Sequence, residues 1–480
     1  MPNFLMKLIK QLFHSELSAT LVIILLGALL SCFFKITHQI TFISPDELLW
    51  MLRSNIFVEH FLSGNFSGLI QSSQPGVIVM WLTGPMMYLS HFNFELITNL
   101  LADLNQAGIP YNVINSNNPI YYQPYQKISF LFNLPLLLIL FLFALCFYAS
   151  LRKLKFSKIK SLAALAFLTS SSFYFLFFTT PTDKLVTIFM TLSLFSLLIY
   201  VNDGHKGEIS PRSRKKYLII SAILAASAVL SKLSALFLLP FTLLVLFIYS
   251  RKNIKNIFKD YLLWIIIFLI TAIIFLPTII TNQEIVINLL LNNGQDRLIV
   301  NSSGTNSSNS FLFIAVALTY LSDSSLISLG PLALICLIIF FVSVFFRWFR
   351  SGNISMKSKR KSRKFGSTAL EGLQNQRNFI SLSKRAREIS FILTLYLFLF
   401  FISIATFSKT YSFRYLAPLF PIIYLLAGIG LVNLTDLIIK KFRVPKKLAY
   451  SEMIILIFLS QLLFIFTSRI EEIESLPDFH

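Results

Sequence analysis

ISFLFNLPLLLILFLFALCFYAS, residues 128–150, runs directly into LRKLKFSKIK, residues 151–160. The first stretch carries no Asp, Glu, Lys or Arg. A helix crossing a bilayer needs roughly 17–25 predominantly apolar residues, so this stretch is long enough to cross. The second stretch carries five basic residues within ten positions. Lys and Arg collect on the cytoplasmic side of membrane spans, so the pair of stretches reads as one span with its C-terminal end inside.

The same pattern recurs. Apolar runs at 18–37, 161–179, 184–201, 217–232, 233–250, 261–280, 330–349, 389–407, 415–433 and 451–468 are candidate spans, eleven in all with 128–150. Basic clusters lie at Lys7/Lys10, Leu151–Lys160, His205–Lys216, Arg251–Lys259, Arg347–Arg387 and Lys440–Lys447, and together hold 33 of the 42 Lys and Arg residues. Placing all six clusters inside requires the shorter apolar stretches 76–92 and 311–321 to stay on one side, at the membrane surface. The parts then facing outward carry nine basic and thirteen acidic residues, a net charge of −4. The N-terminus is expected inside, the first span is expected to be a retained signal-anchor, and the acidic C-terminal tail is expected outside.

Composition agrees. The 480 residues are 55% hydrophobic, 15% aromatic and 13% charged, with fifty phenylalanines and a mean hydropathy of +0.72. A soluble domain averages about 25% charged residues, so a soluble enzyme, a disordered chain and a secreted disulfide scaffold are excluded. The net charge of +21 is spread over cytoplasmic connectors and does not mark a nucleic-acid surface. Cys32, Cys146 and Cys336 lie in apolar runs and offer neither metal spacing nor a disulfide pattern. The expected organisation is an N-terminal segment and first span (1–37), a first extracytoplasmic loop (38–127) and a block of spans (128–280). A second outer loop (281–329), a span (330–349), a basic cytoplasmic loop (350–388), the last spans (389–468) and an outer tail (469–480) follow.

Chemistry-bearing residues gather in the outward parts. Ser44-Pro45-Asp46-Glu47 follows the first span. Pro45 suits the first position of a helix, and acids in a first turn answer the positive helix end. They also have the makings of a general base with a supporting carboxylate. Arg53 lies seven residues on, on the same helical face as Asp46, where it either snorkels or meets an anion. Gln74-Pro75-Gly76 leads into an apolar stretch containing Trp81. Thr182-Asp183-Lys184 sits in a short outer turn, as a helix cap or as substrate contacts. Ser408-Lys409-Thr410-Tyr411-Ser412-Phe413-Arg414-Tyr415 puts two cations and two tyrosines on the side that cations otherwise avoid. An anionic ligand such as a lipid phosphate is one reason for them, and headgroup-level anchoring is another.

Taken together, these motifs resemble the GT-C class of integral membrane glycosyltransferases. The likeness is to the branch of dolichyl-phosphate-mannose protein O-mannosyltransferases and bacterial lipid A aminoarabinose transferases. It is carried by Asp46-Glu47 after the first span, Gln74-Pro75-Gly76-Val77 where relatives often have His-Pro-Pro or His-Pro-Gly, Asp183, and Lys409…Arg414-Tyr415-Leu416-Ala417-Pro418-Leu419-Phe420-Pro421.

The resemblance implies an all-α polytopic fold. It implies transfer of a sugar from a polyprenyl- or dolichyl-phosphate donor to an extracytoplasmic acceptor, usually with inversion. Asp46 would be the base, with Glu47 and Asp183 supporting it. Arg53, Gln74, Lys184, Lys409, Arg414 and Tyr415 would contact substrate. Membrane lipid and an outer acceptor are the implied partners, and nucleic acid is not. No cofactor is implied with certainty. Some relatives bind a metal near the acids, but no ligand motif indicates one here. A bacterial plasma membrane is expected over the endoplasmic reticulum. Gln74 in place of the usual His and the insertion-like stretch 95–127 are the departures. The rival reading is a transporter or flippase for a lipid-linked sugar, which calls for charges within the spans, whereas here the outward-facing charges collect in loops and at helix ends.

Overall fold

The computed structural model describes residues 16–37, 45–70, 76–90, 119–171, 181–203, 211–249, 254–284, 332–343, 388–404, 413–446 and 448–460, with isolated positions 95, 99 and 287. Every regular element among them is helical. The helices are α1 (Glu16–Thr37), α2 (Pro45–Leu62), α3 (Val77–Leu89), α4 (Pro119–Lys153), α5 (Lys158–Ser170), α6 (Pro181–Asp203), α7 (Pro211–Ser231), α8 (Leu238–Tyr249) and α9 (Ile254–Phe275). They continue with α10 (Leu332–Ser343), α11 (Glu388–Ile404), α12 (Phe420–Phe442) and α13 (Leu448–Ser460). Tight 3-10 segments at Phe66–Leu69, Leu233–Phe237 and Phe413–Leu419 join or precede them.

Among the described residues, four helical stretches are long and apolar enough to cross a membrane: Ser129–Lys153, Pro181–Asn202, Ile254–Phe275 and Leu416–Phe442. They match four of the eleven expected spans, and the protein is an integral membrane protein. The expected segment 311–321 and the outer tail lie outside the described residues. α3, within the expected surface stretch 76–92, has 13 residues and a length of about 20 Å, well short of a hydrocarbon core about 30 Å thick. It is not merely laid on a surface, however. Val77, Ile78, Val79 and Met80 are all buried against the rest of the protein.

Several boundaries differ from the sequence expectation, and two of them bear on the site. α4 begins at Pro119, so the break expected after residue 127 falls inside a continuous helix. Hydropathy sees only where lipid begins, and a helix can continue beyond it. The expected span 261–280 stops as a helix at Phe275, because Pro277 cannot continue the ladder and restricts the residue before it. The carbonyl freed at Phe275 accepts the Trp81 indole N–H at 2.8 Å. Phe57, Phe61 and Phe275 pack edge-on around the same ring. Trp81 is thus an internal clasp between α3 and the end of α9.

α6 lies at the centre, packed on α7 and α4 and against the Phe413–Leu419 segment. α5 is buried throughout from Ser161 to Ser170 and lies between α1 and α12. There the backbones nearly touch: a Cβ built on Gly428 would come 2.7 Å from the Ala164 nitrogen. Small residues permit such close crossings between helices in lipid, where packing replaces the hydrophobic drive.

The first loop is locked to itself by one residue. Gly76 opens α3 at φ +47, and a Cβ there would lie 1.8 Å from the Trp50 ring of α2. Left-handed backbone costs an L-residue roughly 1–2 kcal/mol, before any clash. Gly76→Ala should therefore destabilise the protein by at least about 1–2 kcal/mol. Thermal unfolding in detergent checks this, and an unchanged midpoint would mean that the α2–α3 contact contributes nothing to stability.

Candidate functional site

Four segments far apart in sequence meet at one end of the bundle, three bringing charge and one bringing neutral donors. Glu47 stands in the first turn of α2, just after Pro45, where an acid is favoured by the helix end. It is nevertheless only 2% exposed. Its Oε1 accepts hydrogen bonds from Ser129 Oγ and Asn133 Nδ2 of α4, each at 2.8 Å. Asn133 Nδ2 also donates to the Ser129 carbonyl at 2.8 Å. Ser129 and Asn133 are one helical turn apart, which puts both on the same face of α4.

Asp183 and Lys184 stand in the first turn of α6, 4% and 3% exposed. Asp183 also has a partner of opposite charge. Its Oδ1 forms an ion pair with Lys232 Nζ, a residue the sequence reading did not single out. α7 ends at Ser231, and Lys232 takes up extended backbone (φ −160, ψ 134) before the chain tightens into Leu233–Phe237. That break in helical geometry turns the lysine away from the axis of α7. Lys184, beside Asp183 in the sequence, is within electrostatic reach of both Asp183 and Glu47. Buried charges are tolerated best when paired and hydrogen-bonded: Asp183 is paired with Lys232, and Glu47 is hydrogen-bonded by Ser129 and Asn133.

The other expected site residues divide. Arg53 rests over the Trp50 ring at 4.9 Å on its own helix, a cation–π contact that the reading as a phosphate ligand did not include. Asp46 lies next to Glu47 in the first turn of α2, and its side chain lies outside the described set. Gln74 and Lys409 lie outside the described residues. Arg414 and Tyr415 are described in backbone only, within the Phe413–Leu419 segment that packs against α6, the helix that carries Asp183 and Lys184. Among the described residues, no group of three or more His, Cys, Asp or Glu gathers.

Three residues were missed: Ser129, Asn133 and Lys232. The signal for the first two was polar side chains four apart inside an apolar run. For Lys232 it was a lone cation at the join of two runs, on the side where cations are scarce.

Breaking a buried ion pair from one side typically costs about 3–5 kcal/mol, whereas replacing both partners with apolar residues is often neutral. Lys232→Met should lower stability by about 3 kcal/mol, and Lys232→Met with Asp183→Leu should recover most of it. Unfolding midpoints in detergent test this. Equal losses in the single and double variants would mean that the pair is not what holds α6 to the end of α7.

The family model for dolichyl-phosphate-mannose-protein mannosyltransferases matches residues 127–280. That stretch includes Ser129, Asn133, Asp183, Lys184 and Lys232. No curated protein matches the chain. A crystal structure of ArnT from Cupriavidus metallidurans bound to undecaprenyl phosphate aligns over 94% of this chain and 71% of its own, at 13% identity and a TM-score of 0.45. Across α4 to α9 the chain is therefore similar to the membrane mannosyltransferases that take sugar from a dolichyl-phosphate carrier.

Proposed function

We propose that the protein is a membrane glycosyltransferase that moves a sugar from a polyprenyl-phosphate carrier to an acceptor on the outer side. The observation that carries this reading is the buried network of Glu47, Asp183, Lys184 and Lys232, built inside and beside the segment that matches the mannosyltransferase family. A flippase needs a path for the whole headgroup. A transferase needs a fixed, dry cluster of acids and cations at one membrane face.

The chemistry follows from the residue types. The Asp46 carboxylate takes the proton from the acceptor nucleophile as that atom bonds to the anomeric carbon. The bond from that carbon to the phosphate oxygen breaks, and its electron pair leaves with the lipid phosphate. Glu47 and Asp183 fix the geometry around this exchange. Lys184, with Lys409 and Arg414 from the late outer turn, faces the negative charge growing on the leaving phosphate. Gln74 and Tyr415 contact the sugar or the acceptor, and Arg53 stays near the mouth on Trp50.

The carrier's tail has a suitable place. Phe237, Pro240, Phe241, Leu244, Leu399, Ile402 and Ser403 line an apolar cavity of about 210 Å³ between α8 and α11. Its first residue, Phe237, closes the 3-10 segment that starts directly after Lys232. Five residues of 3-10 helix rise about 10 Å, so charge cluster and cavity are neighbours along the chain.

Positioned general-base catalysis supplies roughly 10²–10⁴-fold, and Asp46→Asn should remove about that much turnover while the protein still inserts and folds. The assay is transfer of labelled sugar from undecaprenyl phosphate in nanodiscs. Near-normal transfer would take Asp46 out of the role. Activity with a nucleotide sugar and no lipid carrier would refute the donor class.

The donor contacts have their own test. Arg414→Ala and Lys409→Ala should raise the KM for the lipid-phosphate donor and leave that of the acceptor unchanged. Leu244→Trp, which fills the cavity, should penalise a full-length carrier more than a short-chain analogue. Equal donor dependence in all three variants would make the cations interface anchors and the cavity incidental.

A further inference from the structure

Asn133 is an expensive residue where it stands. It is 2% exposed, and its Oδ1 is buried with no hydrogen-bond partner. A buried acceptor left unmade costs about 1–3 kcal/mol, whereas a leucine there would fill similar space without that cost. The amide cannot turn over to relieve it. Its Nδ2 faces three acceptors, Glu47 Oε1, the Ser129 carbonyl and Ser129 Oγ, and exchanging the two ends would set oxygen against each of them. The orientation is dictated by what lies around the donor end, and the carbonyl end is left unsatisfied. A residue selected for stability alone would not be held this way.

The two donors also converge. Ser129 Oγ and Asn133 Nδ2 both address one oxygen of Glu47, from one face of α4, across 82 and 86 residues of sequence. Two neutral donors fix a carboxylate in space without cancelling its charge, which a lysine in either place would do. We propose that Asn133, with Ser129, is a positioning residue. It clamps the Glu47 carboxylate, and through Glu47 it sets the place of the neighbouring Asp46. The catalytic half of this inference rests on the transferase reading above. The structural half does not.

The test uses Asn133→Leu and Ser129→Ala in the full chain in nanodiscs, alone and combined with Glu47→Ala. A misplacement of about 1 Å can cost roughly 10²-fold, so Asn133→Leu should lower kcat by up to about 100-fold with the donor KM unchanged. Added to Glu47→Ala, which removes the clamped group, it should cause no further loss. Ser129→Ala, which removes the smaller donor, should show the same pattern more weakly, and it stands in if Asn133→Leu does not fold.

A second measurement needs no turnover. The carboxylate stretch of Glu47, isolated as the infrared difference between wild type and Glu47→Gln, should shift when Asn133 or Ser129 is replaced. An unmoved band overturns the clamp. An equal fall in kcat with and without Glu47 overturns the positioning role. If the wild type uses no lipid-phosphate sugar, the transferase reading fails, and the infrared shift still decides whether the clamp exists.

Discussion

The Lys232–Asp183 ion pair is the constraint on which the interior depends. A carboxylate and an ammonium buried together repay their desolvation only in good geometry and with further polar support. That requirement fixes the start of α6 against the end of α7, and Lys184, one residue further on, is within electrostatic reach of both Asp183 and Glu47. α2 is then drawn in through Glu47, and α4 through Ser129 and Asn133. Three charged segments and the neutral donors of α4 meet because buried charge needs a partner. Elsewhere, the helices meet by close backbone contact between small residues, as at Gly428 and Ala164.

At helix ends remote from this cluster, the polar groups follow a different plan. Tyr148 donates to Glu16 at 2.6 Å beside Arg152, Tyr200 donates to Asp260 at 2.5 Å, and Tyr450 donates to Asp436 at 2.5 Å. Each acid there is met by a phenolic hydroxyl. At the Asp183 end of the cluster the partner is a lysine instead, Lys232. Tyrosine offers a donor with an aromatic body suited to the membrane boundary, and so serves anchoring. Lysine brings a full, compact charge.

Much of the architecture was legible in the sequence because lipid imposes a simple rule on it. Long uncharged runs such as 128–150 became α4, and the Pro-Asp-Glu start of α2 sits where Pro45 and the acids indicated. Helix ends were less legible: α4 starts nine residues before the hydrophobic run, and Pro277 cuts α9 short of it. Asp183 and Glu47 were readable as acids beside membrane boundaries in the outward parts. Lys232 showed only as a cation on the side where cations are scarce; its pairing was not legible, because its partner is 49 residues away. Ser129 and Asn133 were hidden by their apolar neighbours. A serine or asparagine inside a hydrophobic run is ordinary until something is seen to accept from it.

The clasp between Trp81 and the Phe275 carbonyl joins residues 194 apart. At a synthesis rate of about 5–20 residues per second, Trp81 leaves the ribosome roughly 10–40 s before its acceptor exists. α2 and α3 can pair early, since Gly76 and Trp50 are close in sequence. Their seat on the rest of the protein has to wait for α9. The acidic end of α2 is therefore made first and enclosed last, so the nascent chain holds an open, unfinished site through much of its own insertion.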